Sequence, residues 1–163
     1  MDAFNALYGQ WDERLQSPKP DRESSRTFVD STLRLDQNNA LADALTEHKR
    51  LVMTLLDDEY LSSFFWKEPT DRRAKQSKKS MYDARSWYLE GRWTMILDKV
   101  IERVYFMRCQ LVHGAATHGG RLNRTALRRC VMMMQRILPA ILVVWIDHGA
   151  DEDWGPMCYT PLP

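Results

Sequence analysis

Apolar residues recur at threes and fours along most of this chain and almost nowhere in strict alternation, a pattern that predicts helices and no strand of any length. Phe4, Leu7, Tyr8, Trp11 and Leu15 share one face of a first helix over 2–15, which Ser17-Pro18-Lys19-Pro20 breaks. A second helix over 21–35 carries Phe28, Val29 and Leu33, and Asp-Gln-Asn-Asn at 36–39 supplies a turn and an N-cap. The third, over 40–56, places Leu41, Leu45, His48, Val52, Leu55 and Leu56 on a helical period. Asp57, Asp58 or Glu59 then caps a short helix ending at Phe64-Phe65-Trp66.

Residues 67–80 interrupt the pattern: KEPTDRRAKQSKKS is polar, broken by Pro69 and strongly basic, and reads as a loop. A long helix over 81–112 follows, its stripe running through Trp93, Ile96, Leu97, Val100, Ile101, Val104, Arg108 and Leu111. Gly114 is a natural stop, 115–122 a loop, and Asn123 the N-cap of a last helix over 124–146. There Leu127, Val131, Met134, Leu138, Ile141 and Trp145 form a stripe, but the second half is apolar almost all round. Such a helix is buried in its own bundle or in a partner. Pro139 predicts a kink. The acidic and then Pro-rich tail from Asp147 adds no second domain. The pattern thus predicts one all-α domain, an antiparallel bundle of about five helices.

Composition narrows the class. With 163 residues, 44% hydrophobic and 28% charged, the chain can bury a core. Its net charge of +1 argues for no partner by itself, so only charge distribution matters. The start, MDAFNALYGQWDE, lacks a signal pattern, and the longest apolar run (137–146) is about half a bilayer crossing. The expectation is a cytoplasmic protein with no membrane partner. Cys109, Cys130 and Cys158 are too few and too widely spaced for a disulfide framework or a Cys-x-x-Cys zinc site. Cys109, His113 and His118 lack a fourth ligand at sensible spacing, so no metal or other cofactor is expected. His48 reads as a core histidine, and Asp57–Glu59 and Asp151–Asp153 as caps or exposed turns.

The chemistry concentrates in RCQLVHG, residues 108–114. Metal-free RNA cleavage needs a proton carrier near neutrality to activate a 2′-hydroxyl and a fixed cation for charge developing on phosphorus. His113 and Arg108 are the residue types for those tasks. Spacing alone leaves another reading open, in which His113 bonds the last helix carbonyls and Arg108 extends from a buried stripe. Arg121, Arg124, Arg128, Arg129 and Arg136 fall within 16 residues that contain no acid. Of these, Arg121, Arg124 and Arg128, with Asn123 among them, are the candidate substrate contacts, and Lys75, Lys78 and Lys79 of the basic loop join them. Few aromatics interleave the charges, so a base-stacking platform is not indicated.

The stretch YFMRCQLVHGAATHGGRLNRTALRRC, between two long apolar helices, resembles the HEPN superfamily. An Arg-x-x-x-x-His-Gly helix end there precedes a Gly/Ala/Thr loop and an Asn-Arg that opens the last helix. The likeness is specific from about Tyr88 onward, the tail DWGPMCYTPLP included; before that it is one of helical layout. It implies a homodimer whose Arg108/His113 pairs face each other, and metal-independent endoribonuclease chemistry leaving a 2′,3′-cyclic phosphate. A bacterial toxin or antiviral-defence effector acting on RNA is the role implied, with a regulatory protein from a neighbouring gene as a further partner. Cys109 stands where active members often carry Asn, Asp or His. The alternative is therefore a catalytically silent dimer that binds RNA or a regulatory protein. Ala115 stands where nucleotidylated members carry Tyr, so no nucleotidyltransferase is expected to act there.

Overall fold

A computed structural model describes residues 21–62, 78–112 and 123–150, together with 11–12, 17–18, 70, 72, 75 and 152. The described chain is helical apart from one short pair: β1 (Trp11–Asp12) runs antiparallel to β2 (Ser17–Pro18). The predicted first helix therefore does not continue through Trp11–Asp12, and the rest of it lies outside the described residues. Pro18 fixes its own φ and disfavours a helical Ser17, which makes Ser17–Pro18 a pairing partner rather than a helical turn.

Helices α1 (Asp21–Leu35), α2 (Ala40–Glu47), α3 (Lys49–Asp57), α4 (Lys79–Glu90), α5 (Trp93–Val112) and α6 (Arg124–His148) follow among the described residues. α1 matches its predicted span, and its inner face is Ser24, Phe28, Val29, Thr32 and Leu35. Burying Thr32 is tolerable because its hydroxyl donates to the Phe28 carbonyl at 2.7 Å and accepts from Trp145 Nε1 at 3.2 Å. The turn after α1 is capped by Asp36, whose carboxylate accepts from the Ala40 and Leu41 amides at 2.7 and 2.8 Å. Asn39 occupies the N-cap position with φ 57° and makes no side-chain cap.

Two predicted helices are each broken in two. The 40–56 helix breaks at His48 (φ −100°, ψ 21°), which is half-buried rather than core and lies 3.8 Å from Glu47. The 81–112 helix breaks at Gly91, which takes φ 65° and ends α4, while the Arg92 amide bonds back to the Trp87 carbonyl at 2.9 Å. Periodicity alone carried the prediction through Gly91, but a left-handed C-cap is the position where lacking a Cβ matters. A Cβ built there meets nothing nearer than Trp93 Nε1 at 3.9 Å, so the cost of Gly91→Ala is strain and not collision. That variant should lose about 1 kcal/mol in denaturant unfolding, and Gly91→Asn should lose less because Asn tolerates the left-handed region.

The predicted 67–80 loop is partly helical. α4 starts at Lys79, and Arg72 and Lys75 are also in helical conformation. Arg and Lys are good helix formers, which at Arg72 and Lys75 outweighs their polarity. Of the predicted short helix after the acidic cap, the described residues hold a 3₁₀ turn, Glu59–Leu61, started by Asp58, whose carboxylate accepts from the Tyr60 amide at 3.2 Å. Phe64–Trp66 lie outside the described residues.

α5 and α6 form the centre, and each other described helix packs on one or both of them. Their buried faces are rotated from the predicted stripes. α6 buries Ala126, Cys130, Met133, Ile137, Ile141 and Val144, and it stays helical through Pro139. α5 buries Ile96, Leu97 and Val100 as predicted, then Arg103, Met107 and Gln110 instead of Val104, Arg108 and Leu111. The small side chains of Ala126 and Cys130 suit close approach of α6, leaving its bulkier stripe outside. By length and composition α6 could cross a bilayer, which a ten-residue apolar run had not suggested. Its inner face nevertheless belongs to the bundle core.

Candidate functional site

The end of α5 and the start of α6 meet at one end of the bundle, where the candidate chemistry lies. Arg108 sits in the last full turn of α5, half-buried. It lines an open groove of about 480 Å³ between α5 and α6, whose walls are otherwise mostly apolar: Val104, Leu111, Val131, Leu138 and Leu142 among them. This groove is formed by the predicted stripes that the core does not take. His113 and Arg121 lie outside the described residues.

Arg124 and Arg128 are exposed on the first two turns of α6. Arg129, part of the same basic run, is neutralised internally: its guanidinium donates to Asp58 at 2.8 Å. Lys78 lies 3.7 Å from Asp57, while Lys75 and Lys79 are exposed. The adjacent carboxylates Asp57 and Asp58 thus join two basic elements, the 72–79 segment and α6, that are far apart in sequence. Reading Asp57–Glu59 as caps captured only the Asp58–Tyr60 bond.

Asn123 has a structural job that its reading as a substrate contact did not foresee. It is 8% exposed, adopts φ 62°, and donates from Nδ2 to Gln110 Oε1 at 2.6 Å. Gln110, 6% exposed, donates in turn to the Tyr60 carbonyl. Two turns earlier Arg103 donates to the Leu61 carbonyl at 2.7 Å and the Leu56 carbonyl at 3.3 Å. Burial pushes the Arg103 pKa down, opposed by the charges of Glu102 and Asp58. Arg103 and Gln110 satisfy backbone acceptors at the end of α3 and in the 3₁₀ turn, and Asn123 bonds to Gln110, which is how these polar side chains are accommodated in the interior. The one signal in the sequence was an Arg and a Gln seven apart on an apolar helix.

Both described cysteines are free, Cys109 half-buried and Cys130 buried. Burial pushes the Cys130 thiol up to about 12, with Asp58 adding to the shift and Arg103 opposing it. Native protein at pH 8 should therefore be alkylated at Cys109 well before Cys130, as mass spectrometry of the peptides would show. Because the folded pKa lies above the unfolded value of about 8.5, Cys130 contributes stability fully below pH ~8 and loses it as pH rises towards 12. Among the described residues no three His, Cys, Asp or Glu side chains gather to hold a metal.

No family model, curated protein or solved structure matches this chain.

Proposed function

We propose that this protein is a metal-independent endoribonuclease of the HEPN type, a cytoplasmic bacterial toxin or antiviral-defence effector. In this reading it works as a homodimer with Arg108 and His113 of both copies at one composite site. The observation that carries it is Arg108 itself: a guanidinium in the wall of an open apolar groove, just ahead of His113 in the chain and at the end of the bundle where Arg124 and Arg128 are exposed. A cation in such a wall attracts a phosphate more strongly than one in open water.

His113 removes the proton of a ribose 2′-hydroxyl, and the freed oxygen attacks the adjacent phosphorus. The P–O5′ bond breaks, the leaving oxygen takes a proton, and the products are a 2′,3′-cyclic phosphate and a 5′-hydroxyl. Arg108 holds the charge that builds on the non-bridging oxygens. Arg124, Arg128 and the 72–79 lysines grip flanking phosphates. The test is incubation of RNA with purified protein in EDTA, followed by end-group analysis. Cyclic-phosphate ends made by wild type and not by His113→Ala support the reading.

Cys109, next to Arg108, favours a second reading, a dimer that binds RNA or a regulatory protein without cutting. Binding without cleavage on every RNA tried selects it. Under either reading, changing Lys75, Lys78 and Lys79 together to Ala should lower the salt slope of RNA binding by about 0.7 for each phosphate no longer neutralised. Lys78 should contribute least because Asp57 already offsets its charge. An unchanged slope in a filter-binding titration removes this segment from the RNA path.

A further inference from the structure

Three side chains buried to nine-tenths or more, Arg103, Gln110 and Asn123, form hydrogen bonds on the inner side of α5, the helix that carries Arg108. Two of their bonds make a directional chain: Asn123 Nδ2–H to Gln110 Oε1, then Gln110 Nε2–H to the Tyr60 carbonyl. It links three elements, the N-cap of α6, the last turn of α5 and the 3₁₀ turn before the basic segment. Gln110 is the central link, bonded on both sides, and it lies two residues from Arg108.

We propose that Gln110 is a positioning residue for the Arg108 site, with Asn123 as its partner. Through these two bonds it holds the end of α5 in register with the start of α6 and with the 3₁₀ turn. Arg108 then keeps a set position relative to the phosphate-gripping Arg124 and Arg128. The amide suits this task because it accepts on one side and donates on the other; neither a carboxylate nor an ammonium does both. Asn suits position 123 because its backbone is left-handed, a region Asn tolerates, while its side chain still supplies a donor. Exposed Leu111 and Val112 contribute little to the core at this end, so the two hydrogen bonds add register to the packing of Met107, Ala126 and Cys130.

The inference rests on the nuclease reading for its kinetic consequence and on the hydrogen-bond chain for its physical one, so two readouts are needed. Gln110→Met keeps the length and loses both bonds. Asn123→Gly keeps the left-handed backbone and loses the donor. In full-length protein each should lower kcat for RNA cleavage by about 10- to 100-fold, as expected for a misplaced catalytic group, and leave KM within about threefold. The double variant should be no slower than the slower single one, because both changes break one chain. Hydrogen exchange should quicken together at the amides of 60–62 and 127–130 in either variant.

An unchanged kcat with a lowered melting temperature would make the chain purely structural and overturn the proposal. So would additive losses in the double variant, or faster exchange confined to one of the two segments. If wild type cleaves no RNA, the nuclease reading fails by itself. The exchange result then decides the register lock, which stands only if both segments respond together.

Discussion

Arg108→Ala and His113→Ala should each reduce RNA cleavage by about 10²–10⁴-fold, the range for losing a proton carrier or a transition-state cation. Melting temperature should stay within about 4 °C of wild type, equivalent to roughly 1 kcal/mol for a chain of this size. The expectation of small structural cost comes from where Arg108 sits. It lines the groove and stands outside the core, whose α5 face is completed by Arg103, Met107 and Gln110. If Arg108 were structural, the order of effects would invert: a clear drop in melting temperature with no activity to lose. A pH–rate profile tests His113 further. Activity carried by a histidine should titrate between about pH 5 and 8.

The second large effect concerns the groove. Val131 is 47% exposed and Leu138 is 43% exposed, both on the apolar wall of α6, with Leu142 beside them. In a dimer built on this face, Val131→Asp together with Leu138→Asp would bury unpaired carboxylates at a cost of about 3–5 kcal/mol each. The dimer constant should weaken by more than about 100-fold, and cleavage at a composite site should disappear with it. Melting of the separate chain should change little, because the side chains already face outward. Light scattering at micromolar concentration checks this directly. A wild type that is monomeric there, or a double variant that stays dimeric and active, would sink the composite site.

Helix identity was legible from residue order alone because it depends on local spacing. The 3.6-residue period marked α1 across its full span, and it marked α6 to within two residues of its end. The breaks were harder, since Gly91 and His48 sit inside runs whose apolar periodicity continues across them. Whether a chain bends there depends on what its two halves pack against. Arg108 was visible as a candidate through its place five residues before His113, whereas Arg103 on the same helix has no such neighbour to mark it.

The tertiary structure alone decided which face of α5 and α6 points inward. α6 is apolar on nearly every side, so periodicity cannot rank its faces, and packing selects the one whose small Ala126 and Cys130 fit the bundle. The inner face of α5 includes Arg103 and Gln110 because the carbonyls of Leu56, Tyr60 and Leu61 need donors there. Those acceptors lie about 40 to 50 residues away in the chain and come near only on folding. Asp57 and Asp58 draw the two basic segments together for the same reason. Local periodicity determined the helices and the residue types available for chemistry; long-range hydrogen bonding and packing determined which of those residues face the core, the groove and the solvent.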